Sequence, residues 1–200
     1  MLRPITSGSI NLIFLLAALL AANSAHALEF SEGRWRLELN GGPALKEGGR
    51  DRDGDYFVSG TVDYEIPATP HTTLSLRGMP LFVYEQDEVS YDSLKQILRK
   101  HESVHDDTVI GAGLGLAGRV YQKANVYEGF FAELELLALG HSGKIEGDDS
   151  NIDFLSGIGV GYQFNSHWEA LVRFEHISNG GLGEPNSGVN AVRLGMGYRF

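Results

Sequence analysis

Two stretches near the end of the chain alternate strictly between apolar and charged or small residues. Trp168, Ala170, Val172 and Phe174 are interleaved with Glu169, Arg173 and Glu175, and Val192, Leu194, Met196, Tyr198 and Phe200 with Arg193 and Arg199. A period of two places each set on one face of a β-strand. An apolar face backed by a charged one is the pattern of a barrel strand in lipid, with hydrocarbon outside and polar groups inside. Beyond residue 27 no run is long and apolar enough for a transmembrane helix. If the chain enters a membrane, it must do so as strands that close on themselves.

Residues 1–27 read as a cleaved secretory signal peptide. Arg3 supplies a basic start, Leu12 to Ala22 an apolar core, and Ala25-His26-Ala27 a small-x-small cleavage site. The mature chain would then be one domain, 28–200, beginning at Leu28. There is no cysteine, which excludes disulfides, a thiolate nucleophile and Cys-bound metal. The formal charge of −10 argues against a nucleic-acid partner, which needs a basic surface. Gly is frequent at 26 and Pro sparse at 6, as suits strands joined by turns.

Eight alternating segments can be laid out. They run at about 34–43, 56–66, 72–84, 108–120, 128–139, 151–164, from 168 to the His176–Ser178 region, and up to Phe200. The third slips register near Gly78 to Pro80, which predicts a bulge. Long polar connections alternate with short turns, including Pro67 to His71 and Asn165 to His167. The longest, about 85–107, carries Leu94, Ile97 and Leu98 at the spacing of a short helix. The expectation is an all-β, eight-stranded antiparallel transmembrane β-barrel in the outer membrane of a Gram-negative cell. A soluble barrel with the faces reversed is the competing architecture. The leader, the loop alternation and the terminal Tyr198-Arg199-Phe200 favour lipid. That terminal aromatic resembles the signal read by outer-membrane assembly machinery.

His176 and Ser178 continue the apolar, lipid-facing register of the seventh segment. Same-face neighbours two residues apart lie about 6.6 Å apart along the strand. A neutral imidazole leaning toward a serine can take its proton during attack on an ester carbonyl. At the long-loop end and facing lipid, such a pair would act on a lipid ester of the outer leaflet. His-x-Ser alone is a weak motif, and an interfacial histidine is more often only an amphipathic residue.

Other features have blander readings. Asp51, Asp53 and Asp55 lack the later bidentate Glu of a calcium loop and read as a solvated Asp-Gly turn. His101 and His105 would need further ligands to hold zinc. Gly111 to Gly118 has no helix after it, so small lumen residues explain it better than a nucleotide loop. Glu133, Glu135, Glu169, Glu175, Arg173 and Arg193 face inward and would form a lumen network, since eight strands enclose only enough space for side chains.

The run HISNGGLGEPNSGVN, Arg173 to Asn190 with its flank, resembles the signature of the PagL-type lipid A 3-O-deacylases. More loosely, so does the barrel layout. The resemblance implies an outer-membrane hydrolase that removes a 3-hydroxyacyl chain from lipid A of lipopolysaccharide, without metal or cofactor. It implies His176 as base and Ser178 as nucleophile, with Asn179 and Asn186 at the oxyanion site. The family's third member is Glu, and this chain has Asn190 there. Asn190 shares the lipid-facing register and could orient His176 without a full charge. Glu184 in the last loop could substitute if that loop folds back. Two other readings stay open: a non-catalytic structural or surface-binding barrel, and an esterase for another outer-leaflet lipid. Homodimer formation is equally open.

Overall fold

The alternation resolves into eight strands: β1 (Arg34–Leu45), β2 (Tyr56–Pro67), β3 (Thr72–Glu85), β4 (Thr108–Tyr121), β5 (Gly129–His141), β6 (Ile152–Gln163), β7 (Trp168–Ser178) and β8 (Val189–Arg199). The structure is a computed structural model describing residues 32–45, 52–86, 108–125, 127–145, 148, 150–184, 186 and 188–200. The leader, the 85–107 helix, His101, His105 and Asp51 lie outside the described residues, apart from Glu85 and Gln86 at the loop's start. Neighbouring strands pair antiparallel, and β1 pairs with β8, so the barrel closes without an edge. The expected strand limits hold closely, with β1 and β5 running further, to Leu45 and His141.

The predicted slip in β3 is a real irregularity. Gly60 pairs with Leu81 but Val62 with Gly78, and on the other side Met79 pairs with Gly113 but Phe82 with Gly111. Inserted residues there bend the strand and reset its outward face.

Outward residues are apolar on every strand. Leu39 is 73% exposed while its neighbour Glu38 is 2% exposed. That inversion makes sense only where the surroundings are hydrocarbon. Trp35, Tyr64, Phe130, Tyr162, Trp168, Tyr198 and Phe200 cluster as ring contacts at the end carrying the short turns and the C-terminus. Amphipathic rings at that level form one of the two girdles of a membrane barrel.

The lumen is filled, in layers. Its charged layer is the expected network. Glu133 accepts hydrogen bonds from Arg77 at 3.1 Å, Arg119 at 2.5 Å and Arg173 at 2.6 Å. Arg119 also donates to Glu169 at 2.7 and 2.8 Å, and Arg77 to Asp63 at 2.8 Å. Arg193 donates to Glu175. Above this layer the lumen is not polar as expected. Phe57, Met79, Phe82, Tyr84, Val109, Leu137, Leu139, Leu155, Ile177 and Val189 form a buried apolar plug. The physical reason is space. Near the long loops the inward positions of β4 are Gly111 and Gly113, where a Cβ would come within 2.5 Å of Phe82 and Leu139. Glycines on one wall admit rings from the others. Arg193 stacks its guanidinium 4.5 Å from the Phe57 ring centroid, joining the two layers. The plug matters for function because Ile177 and Val189 anchor the outer ends of β7 and β8 from the inside.

Candidate active site

The alternation that makes the wall apolar makes its exceptions conspicuous. Away from the strand ends, the outward residues of the described strands other than tyrosine are all apolar or glycine, save Ser156, His176 and Asn190, and Ser178 closes β7 beside them, making an island of four. All four are half-buried and they adjoin across β6, β7 and β8. His176 pairs with Ser156 on one side and with Asn190 on the other, and Ser178 pairs with Phe154. Polar side chains facing hydrocarbon are costly unless they have work to do there. This polar island lies at the long-loop end of the barrel.

The structure brings His176 and Asn190 together. Nδ1 of His176 lies 2.8 Å from Oδ1 of Asn190. With the amide oxygen accepting, Nδ1 carries the proton and Nε2 is left as the basic nitrogen. The ring then leans outward along the wall. A Cβ built on Gly188 would fall 2.6 Å from Cε1 and 3.2 Å from Nε2. Continuing the β7–β8 register by one pair sets Gly188 across from Ser178. The imidazole therefore rises toward the level of Ser178. Gly188 has φ +67°, so it is glycine both for backbone conformation and for clearance.

The loop after β7 is built by Asn179, which is fully buried. Its side-chain Nδ2 donates to Asp148 Oδ1 at 2.7 Å and to the Gly183 carbonyl at 3.1 Å, and its Oδ1 accepts from Gly181 N at 2.8 Å. Its backbone N–H donates to Asn186 Oδ1 at 3.2 Å. Asn186 is exposed and bridges back to Asp148. The side-chain donors of Asn179 thus shape the loop, while Asn186 stays at its surface. Glu184 is exposed in the loop, and Glu175 points inward to Arg193, so Asn190 is the residue that meets His176.

Three contributors escaped the sequence reading. Ser156 was legible as the one hydroxyl in the outward row Ile152, Phe154, Ile158. Asp148 supports Asn179 from the β5–β6 loop. Arg52 donates to the Gly188 carbonyl at 3.3 Å, to Asp55 at 3.2 Å and to the Tyr84 hydroxyl at 3.2 Å. The turn expected to be solvated is exposed at Asp53 and Gly54 but buries Arg52 and Asp55, because they pair with each other and with Tyr84 in a cluster that steadies the peptide beside His176. Among the described residues no group of three or more His, Cys, Asp or Glu side chains is arranged to hold a metal ion.

A family model described as lipid A 3-O-deacylase (PagL) matches residues 73–199. That span runs from β3 through β8 and contains the whole island. No curated protein matches the chain. Among solved structures, the N-terminal β-barrel domain of Pseudomonas aeruginosa OprF aligns at 15% identity with TM-score 0.48, covering 84% of this chain and 100% of that one. Neisserial surface protein A aligns at 13% identity with TM-score 0.47, covering 87% and 98%. Ail, the attachment invasion locus protein of Yersinia pestis, aligns at 13% identity with TM-score 0.46, covering 84% and 99%.

Proposed function

The chain belongs to the lipid A 3-O-deacylase (PagL) family and is an outer-membrane β-barrel, and from that premise we propose that it is a serine esterase removing the 3-O-linked 3-hydroxyacyl chain of lipid A. The observation that carries this reading is the polar island on the lipid-facing wall. An ester presented there comes from the outer leaflet, not from the lumen or from water.

In this reading Ser178 Oγ attacks the acyl carbonyl while Nε2 of His176 takes its proton. Asn190 holds the imidazole in the tautomer that leaves Nε2 basic. The exposed Asn186 amide stabilises the oxyanion, with Asn179 and Asp148 keeping the 179–183 turn in shape. His176 returns the proton to the departing sugar oxygen. Water then attacks the acyl-enzyme by the same route and releases a 3-hydroxy fatty acid. Residues 1–27 serve as the export signal, and the exposed Phe200 offers its ring to the assembly machinery.

One observation favours a non-catalytic barrel: Asn190 stands where the family has Glu, and a neutral amide stabilises an imidazolium less than a carboxylate does. Mass spectrometry of lipid A from cells lacking other lipid A deacylases separates the two. Expression of this chain should remove one 3-hydroxyacyl group, and Ser178→Ala or His176→Ala should abolish the loss. An unchanged lipid A with a folded barrel in the outer membrane would reject the esterase.

A further inference from the structure

Ser156 is the member of the island that the proposed reaction does not use. It sits in an otherwise apolar outward row, between Phe154 and Ile158. Among the described residues its hydroxyl makes no hydrogen bond, although it faces hydrocarbon. A hydroxyl left unpaired in such surroundings costs free energy that an alanine would not. It therefore calls for a partner that arrives with the substrate.

Its depth says which part of the substrate. Ser156 is level with His176, one same-face step further from the loops than Ser178 and its partner Phe154. That step is about 6.6 Å toward the bilayer centre. An ester carbonyl held at Ser178 has its sugar on the loop side and its acyl chain running the other way, down the apolar wall. Ser156 lies on the acyl side. It is the diagonal neighbour of Ser178, with backbones about 7–8 Å apart. Two serine side chains shorten that gap to the reach of a carbonyl, one methylene and a hydroxyl-bearing carbon. The His176 ring bonds to Asn190 and leans over Gly188, on the β8 side, away from β6. Ser156 is thus placed to meet substrate and not to be deprotonated.

Resting on the esterase reading, we propose that Ser156 is a specificity residue whose hydroxyl hydrogen-bonds the hydroxyl on the third carbon of the acyl chain being removed. It lets a lipid-facing site tell a 3-hydroxyacyl ester from an unsubstituted acyl ester of equal length. The discrimination is asymmetric. With the hydroxylated chain bound, both hydroxyls are paired; with the plain chain, Ser156 stays unpaired in hydrocarbon.

The test uses the full-length protein in detergent micelles with two esters of one alcohol, a 3-hydroxyacyl and an unsubstituted acyl chain of equal length. The readout is the ratio of their kcat/KM values. In the wild type the ratio favours the hydroxylated ester. Ser156→Ala should lower it about tenfold, the size of one hydrogen bond in a shielded site, and Ser156→Thr, which keeps a hydroxyl, should retain it. A ratio that Ser156→Ala leaves unchanged, with both esters still cleaved or both slowed alike, overturns the assignment and leaves the esterase standing. Cleavage of neither ester by the wild type overturns the esterase reading, and this one with it. Product competition tests the point without a variant. A free 3-hydroxy fatty acid should inhibit the wild type about tenfold more strongly than the plain acid, and equal inhibition overturns the proposal.

Discussion

His176 and Asn190 face each other across the β7–β8 ladder, with Nδ1 and Oδ1 2.8 Å apart on the lipid-facing side. This contact, made by a neutral amide, defines what the island does well and what it does less well. It orients the ring and selects the tautomer. In the proposed reaction it would not compensate the charge that the ring acquires on taking the serine proton.

Changing that one group should therefore move the rate in both directions. Asn190→Glu replaces a neutral acceptor by a charged one, and charge-assisted hydrogen bonds are roughly twice as strong. Deacylation should rise about tenfold. Asn190→Leu removes the acceptor and should lower it by about 10² or more. Rates from lipid A turnover in detergent check both. A faster Leu variant would show that Asn190 does not orient the base.

Gly188 sets the position of the ring. Alanine there would strain a φ of +67° and push a methyl to 2.6 Å from His176 Cε1. Displacing a reacting group by about 1 Å costs on the order of 10²-fold in rate. Gly188→Ala should lose that much in kcat while the barrel keeps the β-sheet circular dichroism of the wild type. Full activity in a folded variant would place the ring elsewhere during turnover.

Asp148 should make the site loop pH-sensitive. Burial, then the neighbouring negative charge of Asp153, pushes its carboxyl up to about 6, against the hydrogen bond from Asn179. An unfolded Asp titrates near about 3.9. Between those values the folded loop binds a proton that the unfolded chain does not. The stability this contributes is complete below about pH 4 and is lost as pH rises through about 6. The thermal midpoint should be higher at pH 5 than at pH 7.5, and Asp148→Asn should flatten the difference. A variant with the wild-type pH dependence would assign the effect to other groups.

Glu133 tests the lumen. Three arginines donate to it, and its side chain is almost wholly buried. Removing one partner of a buried charged set typically costs about 3–5 kcal/mol, because the remaining charges are left uncompensated. Glu133→Ala should unfold at clearly lower denaturant concentration, with no selective change in ester preference. Unaltered stability would mean that the arginines are neutralised elsewhere.

How much of this was legible in the sequence varies by residue. All eight strands, the β3 irregularity and the inward charges could be read from period-two alternation, because each depends on side chains that neighbour one another in the chain. His176, Ser178 and Asn190 stood out for the same reason, as polar residues in an apolar register. Ser156 obeyed the same rule and was overlooked, since nothing local links it to His176, twenty residues further along. Arg52 and Asp148 had no local signal. Each reaches the site across a large sequence separation, Arg52 at the Gly188 carbonyl and Asp148 at Asn179 and Asn186.

The alternation alone settled which residues of each strand share a face, because a strand has two faces and the pattern assigns every residue to one; the loop lengths and the terminal aromatic, not the alternation, turned the apolar face to lipid. Which residues of different strands stand side by side was decided only by the closed barrel. The stagger of eight paired strands sets Ser156, His176 and Asn190 on one level, and no single segment carries that stagger. The apolar plug above the charged lumen was decided there too. Whether an inward ring fits depends on the glycines of the strands across from it.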